Sequence, residues 1–143
     1  MAGQNGTVYL APIIALALFG YVVWRNNRRR GHVVVGAGMA PAIDAALRRL
    51  LAGETGFVVL SISPSVYLQF ATASNGAVLA EAKCPPDSEA AERVLSTGGL
   101  SAVQGLPNYR GSFATADAGR LAGLARRYLE VLGARSVTIR TGH

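Results

Sequence analysis

The stretch from His32 to Leu50, HVVVGAGMAPAIDAALRRL, has the residue types of a phosphate-binding turn. Valines that favour a strand, a Gly-Ala-Gly turn and a helix-forming segment, in this order, can hold the pyrophosphate of a dinucleotide. Such a site also needs a small residue where the helix packs on the strand, and an acidic residue about 20 positions further on for the ribose. Pro41 stands where the small residue is needed. The candidate second strand, Phe57–Ser63, is followed by Pro64 rather than by an acidic residue. We therefore predict no dinucleotide site and interpret the glycines as part of a flexible tether.

Residues that could act as a nucleophile, a general base or a metal ligand do not form a recognisable set. Cys84 is the only cysteine, and His32 and His143 lie near the two ends of the predicted folded region. No Cys/His cluster has the spacing of a zinc site. The acidic residues fall mostly at helix starts or on exposed helical faces, and Asp87 and Asp117 stand where the helix dipole favours negative charge. The sequence therefore predicts no catalytic residue, no cofactor and no metal, and a protein that is not an enzyme.

The positive charge of the chain is concentrated in one place. The formal net charge is +6, and four of the 14 basic residues are Arg25, Arg28, Arg29 and Arg30. A nucleic-acid-binding domain would spread its basic residues over a face and interleave them with aromatic side chains. We therefore predict no nucleic-acid partner.

Residues 8–24, VYLAPIIALALFGYVVW, form an apolar run without charge. About 20 apolar residues cross a hydrocarbon core of ~30 Å, so a transmembrane helix in the bilayer is predicted over residues 7–24. A cleaved signal peptide would carry positive charge before its apolar run, and a buried core helix would show a polar stripe. The residues expected at the membrane interfaces are the aromatic and basic ones near the ends of the run: Tyr9, Tyr21, Trp24, Arg25, Arg28, Arg29 and Arg30.

The arginine cluster also predicts an orientation, because positive residues remain on the cytoplasmic side of a membrane. The N-terminus is expected outside and the remainder of the chain in the cytoplasm, an inner-membrane localisation that a lone reduced Cys84 fits. Residues 1–30 are thus predicted as an anchor with a basic cytoplasmic flank, residues 31–39 as a Gly-rich tether and residues 40–143 as a cytoplasmic domain.

The pattern of residues 40–143 predicts an α+β domain. Ile43, Leu47 and Leu50 have the spacing of a buried helical stripe, and Asn75-Gly76 is a strong hairpin signal between two alternating segments. The predicted order is helix, three-strand meander, helix, loop, helix and strand. The predicted fold class is therefore an N-terminal single transmembrane helix followed by an antiparallel three- to five-stranded sheet packed by helices.

Three segments of this domain resemble a known family. They are VYLQFATASNGAVLAEA (residues 66–82), GGLSAVQGLPNY (98–109) and DAGRLAGLARRYLEVLGA (117–134). They look like the small chaperone-like domains related to type III secretion chaperones and the YbjN group. The resemblance implies a module that binds a peptide or protein segment, is often dimeric and has no catalytic residues. By position, it implies partner-binding roles for Tyr67, Gln69, Glu81 and Asn108.

Two functions are therefore expected as alternatives. The first is a single-pass membrane protein that presents a cytoplasmic chaperone-like binding module to a protein or peptide partner, by strand addition or in a groove. The second is a structural accessory subunit of a larger membrane complex, held through its transmembrane helix. Small residues at positions Ala11, Ala15, Ala17 and Gly20 would let a neighbouring helix approach closely. A homodimer and membership of a membrane complex are both compatible with these functions.

Overall fold

Residues 31–143, which the computed structural model describes, form an α+β domain with one antiparallel sheet and three α-helices. The first strand is joined to the first helix by a 3-10 turn, Gly36–Gly38. In chain order the elements are β1 (His32–Val35), α1 (Met39–Leu51), β2 (Phe57–Ser63), β3 (Val66–Thr72), β4 (Val78–Lys83), α2 (Glu89–Thr97), β5 (Ser101–Ala102), β6 (Asn108–Phe113), α3 (Ala118–Val131) and β7 (Ser136–Gly142).

The sheet has seven strands in the order β1-β7-β2-β3-β4-β6-β5, and every neighbouring pair is antiparallel. Its centre is the predicted meander of β2, β3 and β4. The turn between β3 and β4 uses Gly76 at φ 83°, where glycine carries no steric penalty. The Asn75 side chain supports the turn by accepting a hydrogen bond from the Ala77 amide at 3.0 Å. Strands β7 and β1 extend the meander on one side, and β6 and β5 extend it on the other.

The hydrophobic core lies between the three helices and one face of the sheet. Tyr128 of α3 is fully buried there, and its hydroxyl donates a 2.7 Å hydrogen bond to the Lys83 carbonyl of β4. The other large side chains that are almost fully buried in this core are Ile43, Leu47, Leu50, Leu60, Leu68, Phe70, Leu95, Leu100, Leu121 and Ile139. We call the opposite face of the sheet the outer face. Because side chains alternate along a strand, it receives Tyr67, Gln69, Glu81, Asn108, Arg110 and Arg140.

The fold class predicted above is wrong in two respects. The sheet has seven strands rather than three to five. In addition, residues 31–143 contain no helix long and apolar enough to cross a membrane, since the longest, α3, has 14 residues. Residues 31–143 therefore form an α+β domain that contains no membrane-spanning helix, and the predicted inner-membrane localisation is not supported. Residues 7–24 and the predicted interface residues Tyr9, Tyr21, Trp24, Arg25, Arg28, Arg29 and Arg30 lie outside the described residues.

The segment predicted as a flexible tether, residues 31–39, is also different from the prediction. Its valines pair with β7 in an antiparallel ladder that runs from His32 opposite Ile139 to Val35 opposite Ser136. Val34 packs against the core, and the Gly36 amide donates a 3.1 Å hydrogen bond to the Arg135 carbonyl. The compact unit consequently begins at Gly31 rather than at residue 40.

Candidate functional site

Three of the four predicted partner-binding residues form one hydrogen-bonded cluster on the outer face. The Asn108 amide nitrogen donates to Glu81 Oε1 at 2.7 Å and to the Tyr67 hydroxyl at 3.0 Å. The Tyr67 hydroxyl in turn donates to Glu81 Oε1 at 3.1 Å. These residues come from β3, β4 and β6, and the strand register brings them within reach because long side chains contact diagonal neighbours across strands.

Gln69 and Arg110 complete this region of the outer face. Gln69 lies directly opposite Glu81 on the neighbouring strand, and Arg110 lies opposite Glu81 on the other side. Arg110 Nε is 3.5 Å from Glu81 Oε2, and neither atom makes a hydrogen bond in the described part of the chain. Glu81 is 5% exposed and Gln69 is 4% exposed, so both side chains are buried.

The electrostatics of the cluster favour a neutral Tyr67. Burial raises the pKa of Tyr67 well above its usual range, and the charge of Glu81 and its hydrogen bond raise it further. A tyrosine held neutral in this way is a hydrogen-bond donor and a poor base. Because the polar groups of the cluster are occupied mainly by each other, we expect this cluster to stabilise the sheet. Its predicted role in contacting a partner stays a prediction.

Cys84, at the end of β4, is buried at 8% exposure. Burial raises the pKa of the Cys84 thiol, and the nearby charge of Glu92 raises it further. This is the opposite of a reactive cysteine, whose pKa is lowered by positive surroundings. Among residues 31–143 no group of three His, Cys, Asp or Glu side chains could hold a metal ion.

A second feature, missed by the sequence analysis, is the free edge of the sheet at β1. Val33 and Val35 are 66% and 65% exposed on the outer face, although they belong to a hydrogen-bonded strand. Among residues 31–143 no strand pairs with the other side of β1. Proteins commonly protect such an edge with charged residues, proline or a bulge, and HVVV contains none of these. We call Val33, Val35 and the outer backbone of β1 the free edge.

The opposite edge of the sheet is closed differently. Strand β5 has two residues, Ser101 and Ala102, and its chain turns away through hydrogen bonds between Val103 and Asn108 and between Leu106 and Val103. A strand this short offers little backbone for an added strand. The two edges therefore differ in both length and chemistry.

Arg140 of β7 lies beside the free edge. Continuation of the β1–β7 register places Gly31 opposite Arg140, and the arginine side chain fills the space of the missing Cβ. Arg140 Cγ and Cδ lie 2.6 and 2.9 Å from the position that a Cβ on Gly31 would take, and Nε lies closer still. Arg140 Nε is buried and makes no hydrogen bond in the described part of the chain.

No family model matches this chain, and no curated protein and no solved structure matches it.

Proposed function

We propose that residues 31–143 form a non-catalytic binding module that takes an extended segment of a partner protein by strand addition at β1. The observation that carries the proposal is the free edge, where an uncharged strand exposes two valines and one row of backbone hydrogen-bonding groups. In strand addition the main-chain hydrogen bonds supply affinity and alternate side chains supply specificity. The resemblance to small chaperone-like domains, which bind peptide or protein segments, supports the same function.

The position of Val33 and Val35 defines what the incoming segment would contact. Both side chains lie on the outer face, two residues apart, so alternate residues of an added strand would pack beside them. Apolar residues at those two positions would bury the exposed valine side chains. The expected ligand is therefore a short extended segment with apolar residues at alternate positions.

The proposal is tested with short synthetic peptides in which apolar and polar residues alternate. Binding to the full chain is measured by fluorescence anisotropy, and amide hydrogen exchange is measured with and without peptide. We expect a binding peptide to slow exchange in His32–Val35, because an added strand engages the outer amides of this segment.

A double substitution, Val33→Lys with Val35→Lys, places two charges on the free edge. We expect it to weaken peptide binding by about tenfold or more, equivalent to about 1.4 kcal/mol, since lysine on an edge opposes strand pairing. Val131→Lys is the matched control, because Val131 is also exposed, at 40%, but lies at the end of α3. Equal weakening by both variants, or protection of amides elsewhere in the sheet without protection of β1, would contradict strand addition.

A further inference from the structure

We propose that the segment bound at β1 carries a carboxylate side chain opposite Gly31, and that Arg140 recognises it. This inference rests on the proposed strand addition and adds the charge of the ligand to it. It is drawn from the position of Arg140, from its missing counter-charge and from the absence of a side chain at Gly31.

The first step is the direction of the Arg140 side chain. Arg140 lies on β7, one strand inside the free edge, and its Cγ, Cδ and Nε cover Gly31 in the place of a Cβ. A residue with a Cβ at position 31 would collide with the middle of the arginine side chain. The glycine thus lets Arg140 extend over the line of β1 toward the side on which a strand would be added.

The second step is that Arg140 has no counter-charge among residues 31–143. Each of the three ion pairs within residues 31–143 uses a different arginine: Arg48 with Asp44, Arg49 with Glu54 and Arg110 with Glu81. Arg140 faces Val59 on the inner neighbouring strand, and the valine side chain has no hydrogen-bond acceptor. A buried guanidinium nitrogen without a partner is costly, and a carboxylate is the acceptor whose geometry fits a guanidinium best.

The third step is the spacing of the ligand. Neighbouring strands lie about 4.8 Å apart, so one residue of an added strand would stand directly beside Gly31 on the outer face. The residues beside Val33 and Val35 would follow at alternate positions. The expected ligand therefore has three alternate positions on one face: an acidic residue beside Gly31 and apolar residues beside Val33 and Val35. The acidic residue is the first of the three in a parallel added strand and the last in an antiparallel one.

The same geometry argues for a foreign segment rather than a second copy of this chain. Strand β1 reads HVVV and contains no acid, so two copies paired through β1 would leave both Arg140 side chains without a carboxylate. A homodimer through β1 is therefore the competing result. It would appear in sedimentation as a dimer that the Val33→Lys, Val35→Lys variant dissociates.

The test compares three amidated peptides with the full chain at one salt concentration. The acidic peptide is Glu-Thr-Val-Thr-Val-Thr-Glu, which offers a carboxylate beside Gly31 in either direction; the other two have Gln or Lys in place of both Glu. We expect the chain to prefer the acidic peptide over the Gln peptide by about fivefold, the size of a partly exposed ion pair.

The variants assign that preference to one residue. Arg140→Gln should abolish the preference, and Arg140→Glu should reverse it in favour of the Lys peptide. Gly31→Ala should also reduce it, because the added Cβ displaces the Arg140 side chain. Arg126→Gln, on the exposed surface of α3, should leave it unchanged. Arg25, Arg28, Arg29 and Arg30 stay in every variant, so any general attraction of acidic peptides is common to all.

The outcomes separate this inference from the proposed function. If the Gln peptide slows exchange in β1 and the preference for Glu is the same in the wild type and in Arg140→Gln, strand addition stands and the role of Arg140 is wrong. If none of the three peptides slows exchange in β1, the proposed function and this inference are both wrong. A preference for the acidic peptide that Arg140→Glu leaves unreversed also overturns the inference.

Discussion

At the scale of single residues, Glu81 determines the chemistry of the outer face. Its carboxylate is buried, accepts hydrogen bonds from Tyr67 and Asn108, and lies 3.5 Å from Arg110 Nε. A buried charge is tolerated only when it is paired and hydrogen-bonded, and removal of one member leaves the other without compensation. Glu81 is therefore a residue that the sheet requires, whether or not a partner contacts it.

The substitution Glu81→Gln tests this role. It keeps the size of the side chain but removes the charge that faces Arg110, so we expect the free energy of unfolding to fall by about 2–3 kcal/mol. The measurement is urea denaturation followed by circular dichroism.

Glu54→Gln is the matched control, because Glu54 pairs with Arg49 at the surface, where both side chains are 58% exposed. That variant should change stability by about 0.5 kcal/mol or less, and an equal effect of the two would show that the Glu81 cluster contributes little.

At the scale of elements, α3 is the helix whose start is most clearly encoded. Asp117 precedes it in an extended conformation, and its Oδ1 accepts a 2.7 Å hydrogen bond from the Arg120 amide. We expect Asp117→Ala to reduce the free energy of unfolding by about 1 kcal/mol, because the first turn of the helix loses its cap. Asp117→Asn keeps the acceptor and should lose much less in the same urea titration. A similar loss in both variants would attribute the effect to charge instead of capping.

The elements also show how far the sequence could predict the fold. Helix α1 and the hairpin at Asn75-Gly76 follow from local signals, namely a 3.6-residue apolar period and a turn dipeptide. Strand β1 does not: its valines favour a strand, but a four-residue segment before a glycine turn gives no local sign that it pairs with another strand. That partner, β7, lies at the other end of the domain, where His32 meets Ile139. Pairings between such distant segments cannot be recognised from local patterns.

Some residues of the candidate sites could likewise be predicted from the sequence, and others could not. The resemblance to small chaperone-like domains predicts partner-binding roles for Tyr67, Glu81 and Asn108, and the register of three strands brings these residues together. Their hydrogen bonds to one another could not be predicted, because they depend on that register. Arg110 was missed, although it alternates with Asn108 on β6 and so shares its face. Arg140 and the free edge were missed because both depend on the position of β1.

At the scale of the whole domain, the two faces of the sheet are stabilised by different interactions. The face of the sheet that is covered by the helices packs into the apolar core. The outer face contains a buried polar cluster with several titratable groups. Burial raises the pKa of Tyr67 and of Tyr128 well above the usual range for tyrosine. Tyr67 lies on the outer face of the sheet, whereas Tyr128 belongs to α3 and is buried in the core on the other side. Ionisation of the two tyrosines would therefore affect both sides of the sheet.

These tyrosines predict that the domain loses stability in alkaline solution. A pKa that is higher in the folded state means that the folded protein holds its proton where the unfolded chain has lost it. The contribution is therefore complete below about pH 10, the value for an unfolded tyrosine, and is lost as the pH rises above it. We expect the free energy of unfolding in urea to be level up to about pH 8, to begin to fall above about pH 8.5, where the Cys84 thiol of the unfolded chain ionises, and to fall more steeply above about pH 10, where the tyrosines follow. In Tyr67→Phe, which has one raised pKa fewer, the fall should be shallower, although this variant starts from a lower stability at neutral pH. A wild-type curve that stays level to about pH 11.5, or a Tyr67→Phe curve parallel to it, would show that the tyrosines ionise alike in the folded and unfolded states.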